Sequence, residues 1–184
     1  MNTRRGLLRL WGTFKSLAGF PNNQTMPGEE PDLEANLRQE EEERKAYQLI
    51  GEFIYWYSQL EYAIKDRLAT ELNLAPNLID VVLSYDFLML CTVTKNVLFK
   101  KYDDPKDKKI IEGVLNECAG LNIERLRVAH GLWLHDNPTG LVARHVARGT
   151  LRHTLHFRDP DELPSLIKKA QKLMERVMEI PRQG

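Results

Sequence analysis

One stretch limits the fold more than any other. Between Ala46 and Leu72, the residues Leu49, Phe53, Trp56, Leu60, Ile64 (or Ala63) and Leu68 recur at steps of three and four. That is the period of one helical face. Tyr47, Ile54, Tyr57 and Tyr62 enrich the flanks, so this helix offers apolar surface to more than one neighbour. A second copy of the chain is one such neighbour.

The remaining chain supplies further helices. The first begins near Asp32, an N-cap residue, and its early run Glu40–Glu43 reads as a solvated surface. The segment 73–77 (NLAPN) breaks it at Pro76. A second helix is expected over 78–101, with Leu78, Val81, Val82, Tyr85, Leu88, Met89 and Val93 as a broad apolar face that Phe87 and Leu90 extend. A third runs from about Pro105 to about Leu134, burying Ile110 or Ile111, Val114, Leu115, Cys118 and Leu121, with Gly120 as a point of loosening or kinking. After the turn Asp136–Gly140 the period changes. Segments 141–147 and 151–157 are β-rich and read as a hairpin joined at Arg148–Gly149–Thr150. A last helix opens on acids at Asp159–Glu162 and carries Leu163, Leu166 or Ile167, Ala170, Leu173 or Met174, Val177 and Ile180 on one face, ending at Pro181. The expected fold is mainly α: a four-helix up-and-down bundle with a β-hairpin between helices three and four.

Three parts follow along the chain. Residues 1–20 are basic and acid-free, with Leu7, Leu10, Trp11, Phe14 and Leu17 on one helical face. This face suits docking on protein; membrane contact is a second use that the pattern permits but does not favour. Residues 21–31 form a linker rich in proline, and 32–184 form the helical domain. Arg9 interrupts the early apolar run, so the start does not read as a secretory signal. No apolar run approaches a membrane span, and a cytoplasmic location is expected. Cys91 and Cys118 sit in apolar helical patterns as buried thiols.

Net charge is zero, so no global field draws nucleic acid and any such attraction is local. Between Asp136 and Asp159 there is no acidic residue, while Arg144, Arg148, Arg152 and Arg158 fall there or at its edge. These form either a rest for a phosphate backbone or a charged edge that discourages strand pairing. Glu61 stands in the apolar first helix and needs a cation if buried; Arg125 and Lys65 are the candidates.

The stretch Asn122–Trp133 (NIERLRVAHGLW) holds the chemistry. Arg125 offers a forked permanent cation and His130 an imidazole, the side-chain type suited to moving protons at physiological pH. On an ideal helix the two lie about 140° apart. Arg127, three residues before His130, is a rival for the same role. A metal centre has little support: there is no HExxH or CxxC, and His153 and His156 face opposite ways on a strand. No triad motif or glycine-rich phosphate loop occurs, and no cofactor is expected.

These residues resemble the HEPN superfamily of small helical domains. The resemblance rests on Arg125–His130 as an R-x4-H match near the end of helix three of four, followed by Gly131 and Trp133, with the aromatic first helix Gly51–Lys65 in support. As architecture it covers roughly 43–180. It implies a metal-independent endoribonuclease, a toxin or antiviral defence effector, working as a homodimer on RNA with an antitoxin protein as a further partner. It also implies His130 as acid or base and Arg125 as phosphate ligand, with Arg127, Arg144, Arg148, Arg152, Arg158 and Glu61 as substrate-binding candidates and no metal. Active members usually carry a polar residue after the Arg, where this chain has Leu126. The competing reading is a non-catalytic helical module that binds nucleic acid or protein.

Overall fold

A computed structural model describes residues 33–79, 85–136, 140–146, 153–157 and 162–180. The chain divides into two compact units, Met1–Leu37 and Arg38–Gly184. Of the first, only 33–37 lies among the described residues, so the expected basic segment 1–20 and linker 21–31 fall outside them.

The described residues are mainly helical. Helix α1 runs Leu33–Leu72, α2 Phe87–Lys101, α3 Pro105–His130 and α4 Glu162–Glu179. Helix α1 buries Phe53, Tyr57, Leu60, Ile64 and Leu68, the periodic face with Tyr57 added. It stops in a glycine-free way. Asn73 takes a left-handed conformation (φ 52°), and the amides of Asn73 and Leu74 donate to the carbonyls of Thr70 and Ala69, closing the last turn. Pro76–Leu78 adds one 3-10 turn.

Helix α2 corrects the expected span 78–101. It starts at Phe87, where the Asp86 carboxylate accepts a hydrogen bond from the Met89 amide. Its buried face is Phe87, Leu90, Cys91, Thr94 and Leu98. Of the expected face, Phe87 and Leu90 are buried, while Leu88 is 47% and Met89 49% accessible. Both faces repeat with helical period, and periodicity alone does not say which one meets the core.

Helix α3 begins as expected, with Asp104 as cap and Pro105 in the first turn. It runs unbroken through Gly120 and ends at His130, not near Leu134. Residues Leu132–Asp136 turn into a strand, β1. The expected two-stranded hairpin is therefore not supported. Strand β2, Gly140–Val146, lies between β1 and β3, His153–Phe157, in an antiparallel order β1-β2-β3. Val142 pairs with Leu134 and His145 with Thr154, and the β2–β3 register shifts between Ala143 and Arg144. Trp133 anchors the start of β1 by donating its indole N–H to the Val128 carbonyl at 3.1 Å.

One core joins all four helices, built on Phe53, Leu60, Ile64, Leu68, Leu90, Leu98, Ile111, Leu115, Leu121, Leu163 and Leu173. Helix α4 buries the face that its sequence period predicts, Leu163, Ile167, Ala170, Leu173 and Val177. Within this apolar mass sits one charged cluster. Arg67 is only 3% accessible. Its guanidinium pairs with Glu71 at 2.8 Å, donates to the Tyr102 hydroxyl at 2.9 Å and donates to the Ile180 carbonyl at 2.6 Å. Lys101 completes the cluster, 2.9 Å from the second Glu71 oxygen. The cluster ties α1 to the ends of α2 and α4. No described helix is long and apolar enough to cross a membrane.

Cys91 and Cys118 are buried free thiols. Burial pushes the Cys91 thiol from 9.0 up to about 12 and raises Cys118 as well.

Two outcomes follow from this core. Replacing Arg67 with Ala takes the guanidinium from Glu71, which keeps only the rim Lys101 as its ion-pair partner, and from the Tyr102 hydroxyl and the Ile180 carbonyl, and the expected loss is about 3–5 kcal/mol in urea unfolding; Lys101→Ala, at the rim, should cost under about 1 kcal/mol. The thiols set an alkaline limit. In the unfolded chain they ionise first, so the unfolded state binds fewer protons as pH rises and stability falls. This contribution is complete below pH about 9 and is lost toward about 12. The urea midpoint should therefore drop between about pH 8 and about pH 10.5, and drop less in Cys91→Ala.

Candidate functional site

The last turns of α3 carry polar residues on a face that the core does not use. Arg125 and Leu126 follow Asn122 by three and four, and His130 follows Leu126 by four. Opposite them, the first turn of α2 presents Tyr85–Leu88, and α1 presents Tyr57 and Glu61. Together these residues, without His130, line an open cleft of about 480 Å³, within the roughly 300–1,000 Å³ of small-ligand sites.

Tyr57 and Phe87 are the buried residues of the cleft, their rings 4.6 Å apart. Burial raises the Tyr57 phenol above its ordinary 10.0, and the positive Arg125 opposes this only in part. The hydroxyl therefore stays protonated and donates to Asn122 Oδ1 at 2.7 Å. That bond fixes the Asn122 amide, so its nitrogen keeps two donors to offer. Above the same ring stands the Arg125 guanidinium, 5.9 Å from the centroid. Among the described residues no carboxylate lies within ion-pair distance of Arg125. The mouth is apolar and wet: Tyr85, Leu88 and Leu126 are each between 41% and 47% accessible.

The candidate residues separate clearly. Arg125 lines the cleft. Arg127 does not; it pairs with Glu124 at 2.8 Å on its own helix. Glu61 lines the cleft and pairs with Lys65 at 2.9 Å, so of its two expected cations the i+4 lysine holds it. His130 is exposed as the last residue of α3, one turn beyond Leu126, and is not among the lining residues. Arg144 lies on β2 opposite Leu132, and its side chain lies outside the described residues, as do Arg148, Arg152 and Arg158 altogether. Among the described residues no cluster of three or more His, Cys, Asp or Glu could hold a metal ion.

Sequence reasoning missed Tyr57, Asn122, Tyr85 and Asp86 as cleft residues. Tyr57 had a signal, since it follows Phe53 by four and precedes Leu60 by three. Tyr85 and Asp86 had none once helix two was drawn through them. Comparison with protein-family models, with curated proteins and with solved structures finds no match for this chain.

Tyr57→Phe keeps both ring contacts and removes only the hydroxyl. The expected cost is about 0.5–1.5 kcal/mol in urea unfolding, the value of one part-buried hydrogen bond. An unchanged midpoint would show that the bond to Asn122 is not formed.

Proposed function

We propose that this protein is a metal-independent endoribonuclease of the HEPN type, a toxin or antiviral defence effector, completed by a second copy of itself. The observation that carries the reading is Arg125: a guanidinium at an open cleft with no carboxylate partner among the described residues, on the same helix as the exposed His130 five residues on. A cation left unpaired in a cleft suits an anionic ligand, and a fork of N–H donors suits phosphate. In this reading the four helices form the up-and-down bundle, and Arg144, Arg148, Arg152 and Arg158 guide the strand. Cytoplasmic residence and an antitoxin partner belong to the same proposal.

The chemistry needs no cofactor. His130 takes the proton from the RNA 2′-OH, and the 2′ oxygen attacks phosphorus. The bond from phosphorus to the 5′ oxygen breaks, and His130 of the partner subunit returns a proton to that oxygen. The products are a 2′,3′-cyclic phosphate and a 5′-hydroxyl. Arg125 stabilises the charge that builds on the phosphoryl oxygens. Support for the second copy comes from the exposed apolar residues gathered at the cleft mouth, Tyr85, Leu88 and Leu126, which a partner surface could cover.

One observation favours a second reading. His130 is not part of the cleft lining, and the lining residue nearest to it along α3 is apolar Leu126. A module that binds RNA or protein through Arg125 without cutting fits that arrangement.

One experiment separates the two. Full-length protein is incubated with labelled RNAs of varied sequence in EDTA. Cleavage to 2′,3′-cyclic phosphate ends, reduced about 100-fold or more by His130→Ala and by Arg125→Ala, is expected. RNA binding without cleavage by the wild type, with no inhibitor present, sinks the nuclease and leaves the binding module.

A further inference from the structure

The cleft also holds groups that phosphate chemistry does not use. Glu61 and Asp86 bring two carboxylates to the cavity that contains Arg125. Asp86 is committed at one oxygen to the α2 amide of Met89. Glu61 gives one oxygen to Lys65, and its side chain is one-third exposed, so the other oxygen and further lone pairs stay available. Asn122 has its oxygen fixed by Tyr57 and its amide nitrogen left as a donor. Tyr85, Leu88 and Leu126 offer flat or apolar surface beside them.

A ligand complementary to this set carries two adjacent donors, a neighbouring acceptor, a planar face and a phosphate. Among the RNA bases only guanine has that edge: N1–H and N2–H₂ side by side, with O6 next to them. Adenine and cytosine present one amino group beside a bare ring nitrogen, which a carboxylate repels. Uracil presents one N–H between two oxygens.

We propose that the cleft is a guanine-recognition site for single-stranded RNA. Glu61 accepts from N1–H and N2–H₂, the Asn122 amide donates to O6, Tyr85 stacks on the ring, and Arg125 holds the adjoining phosphate. This deepens the nuclease reading and rests on it for one point, that the polymer bound is RNA. Base recognition itself is independent of cleavage. The assignment explains why a site with a phosphate-binding arginine keeps acids beside it: they cost affinity for phosphate in general and return it only with a base rich in donors.

The test measures binding first. Titration calorimetry on the full chain compares GMP, AMP, CMP and UMP, with wild type and Glu61→Gln, a variant of the same shape whose melting curve checks the fold. Wild type should favour GMP by roughly ten- to a hundredfold, the value of one bidentate base contact. Glu61→Gln should abolish the preference and leave a weaker affinity that is the same for all four, while Arg125→Ala weakens all four together. Equal affinities in the wild type, or a GMP preference that survives Glu61→Gln, overturn the proposal. Short RNAs with and without a single G form the second arm. A preference for GMP that no G-containing RNA shares assigns the site to a free nucleotide and overturns the RNA assignment. GMP preference shared by RNA but without cleavage removes the nuclease and keeps the site. Cleavage indifferent to G, and unchanged in Glu61→Gln, does the reverse.

Discussion

Tyr57 is the side chain on which the cleft depends. It comes from α1, its ring lies 4.6 Å from Phe87 at the start of α2, and its hydroxyl bonds Asn122 on α3. Three helices thus meet on one phenol. The Arg125 guanidinium then rests on the ring's outer side. An arginine on a helix surface has about 2 kcal/mol of rotamer freedom to lose when it binds something. A ring beneath it removes part of that freedom in advance, which is how a binding group is pre-organised. The phenol serves this role because burial keeps it neutral: a phenolate could not donate to Asn122.

The far part of α1 is held in a different way. Arg67 is ten residues on, about 15 Å along the helix axis, and it gathers Glu71, Tyr102 and the Ile180 carbonyl. A buried charge cluster adds little net stability over an apolar core. What it adds is position, because an arginine that must satisfy several acceptors tolerates few arrangements of the chains that bear them. The ends of α2 and α4 are fixed there, while the first turn of α2 is free to be shaped by Asp86 and Phe87. The cleft lies at this second place, where the helix starts and the core thins.

Much of the helical pattern was legible in the residues. The faces of α1 and α4 follow from apolar spacing, and the start of α3 follows from Asp104 and Pro105. Two boundaries were not. Residues 85–86 carry no break signal of the kind that Pro76 gives, so helix two was drawn too long and its apolar face too broad, with the exposed Leu88 and Met89 beside the buried Phe87 and Leu90. Leu132–Asp136 has the apolar content of a helix continuation, and its pairing with Gly140–Val146 is a contact between separate segments. Pairing of that kind has no local signature. The cleft suffered for the first error: Asp86 and Tyr85 become site residues only when α2 starts after them. Arg125 was legible as a residue type, but choosing it over Arg127 needed Glu124, whose carboxylate takes Arg127 out of use.

That choice bears on how a chain of zero net charge would approach the polyanion proposed for it. Steering by a broad positive field is not available to it as a whole. Around the cleft, Arg125 stands with Glu61 and Asp86, so even the local field is mixed. On the proposed reading, attraction to phosphate would arise at short range, from a fork of donors on a fixed support, and the acids nearby would penalise any polyanion that brings no hydrogen-bond donors with it. Such a site would bind weakly in general and discriminate well, because each mismatched ligand would leave a carboxylate facing an acceptor. Leu126 fits the same logic. Directly after Arg125, a polar residue would add another donor or acceptor at the wall; leucine adds a surface against which a base or a second protein can exclude water, and so strengthens the contacts that Arg125 makes beside it.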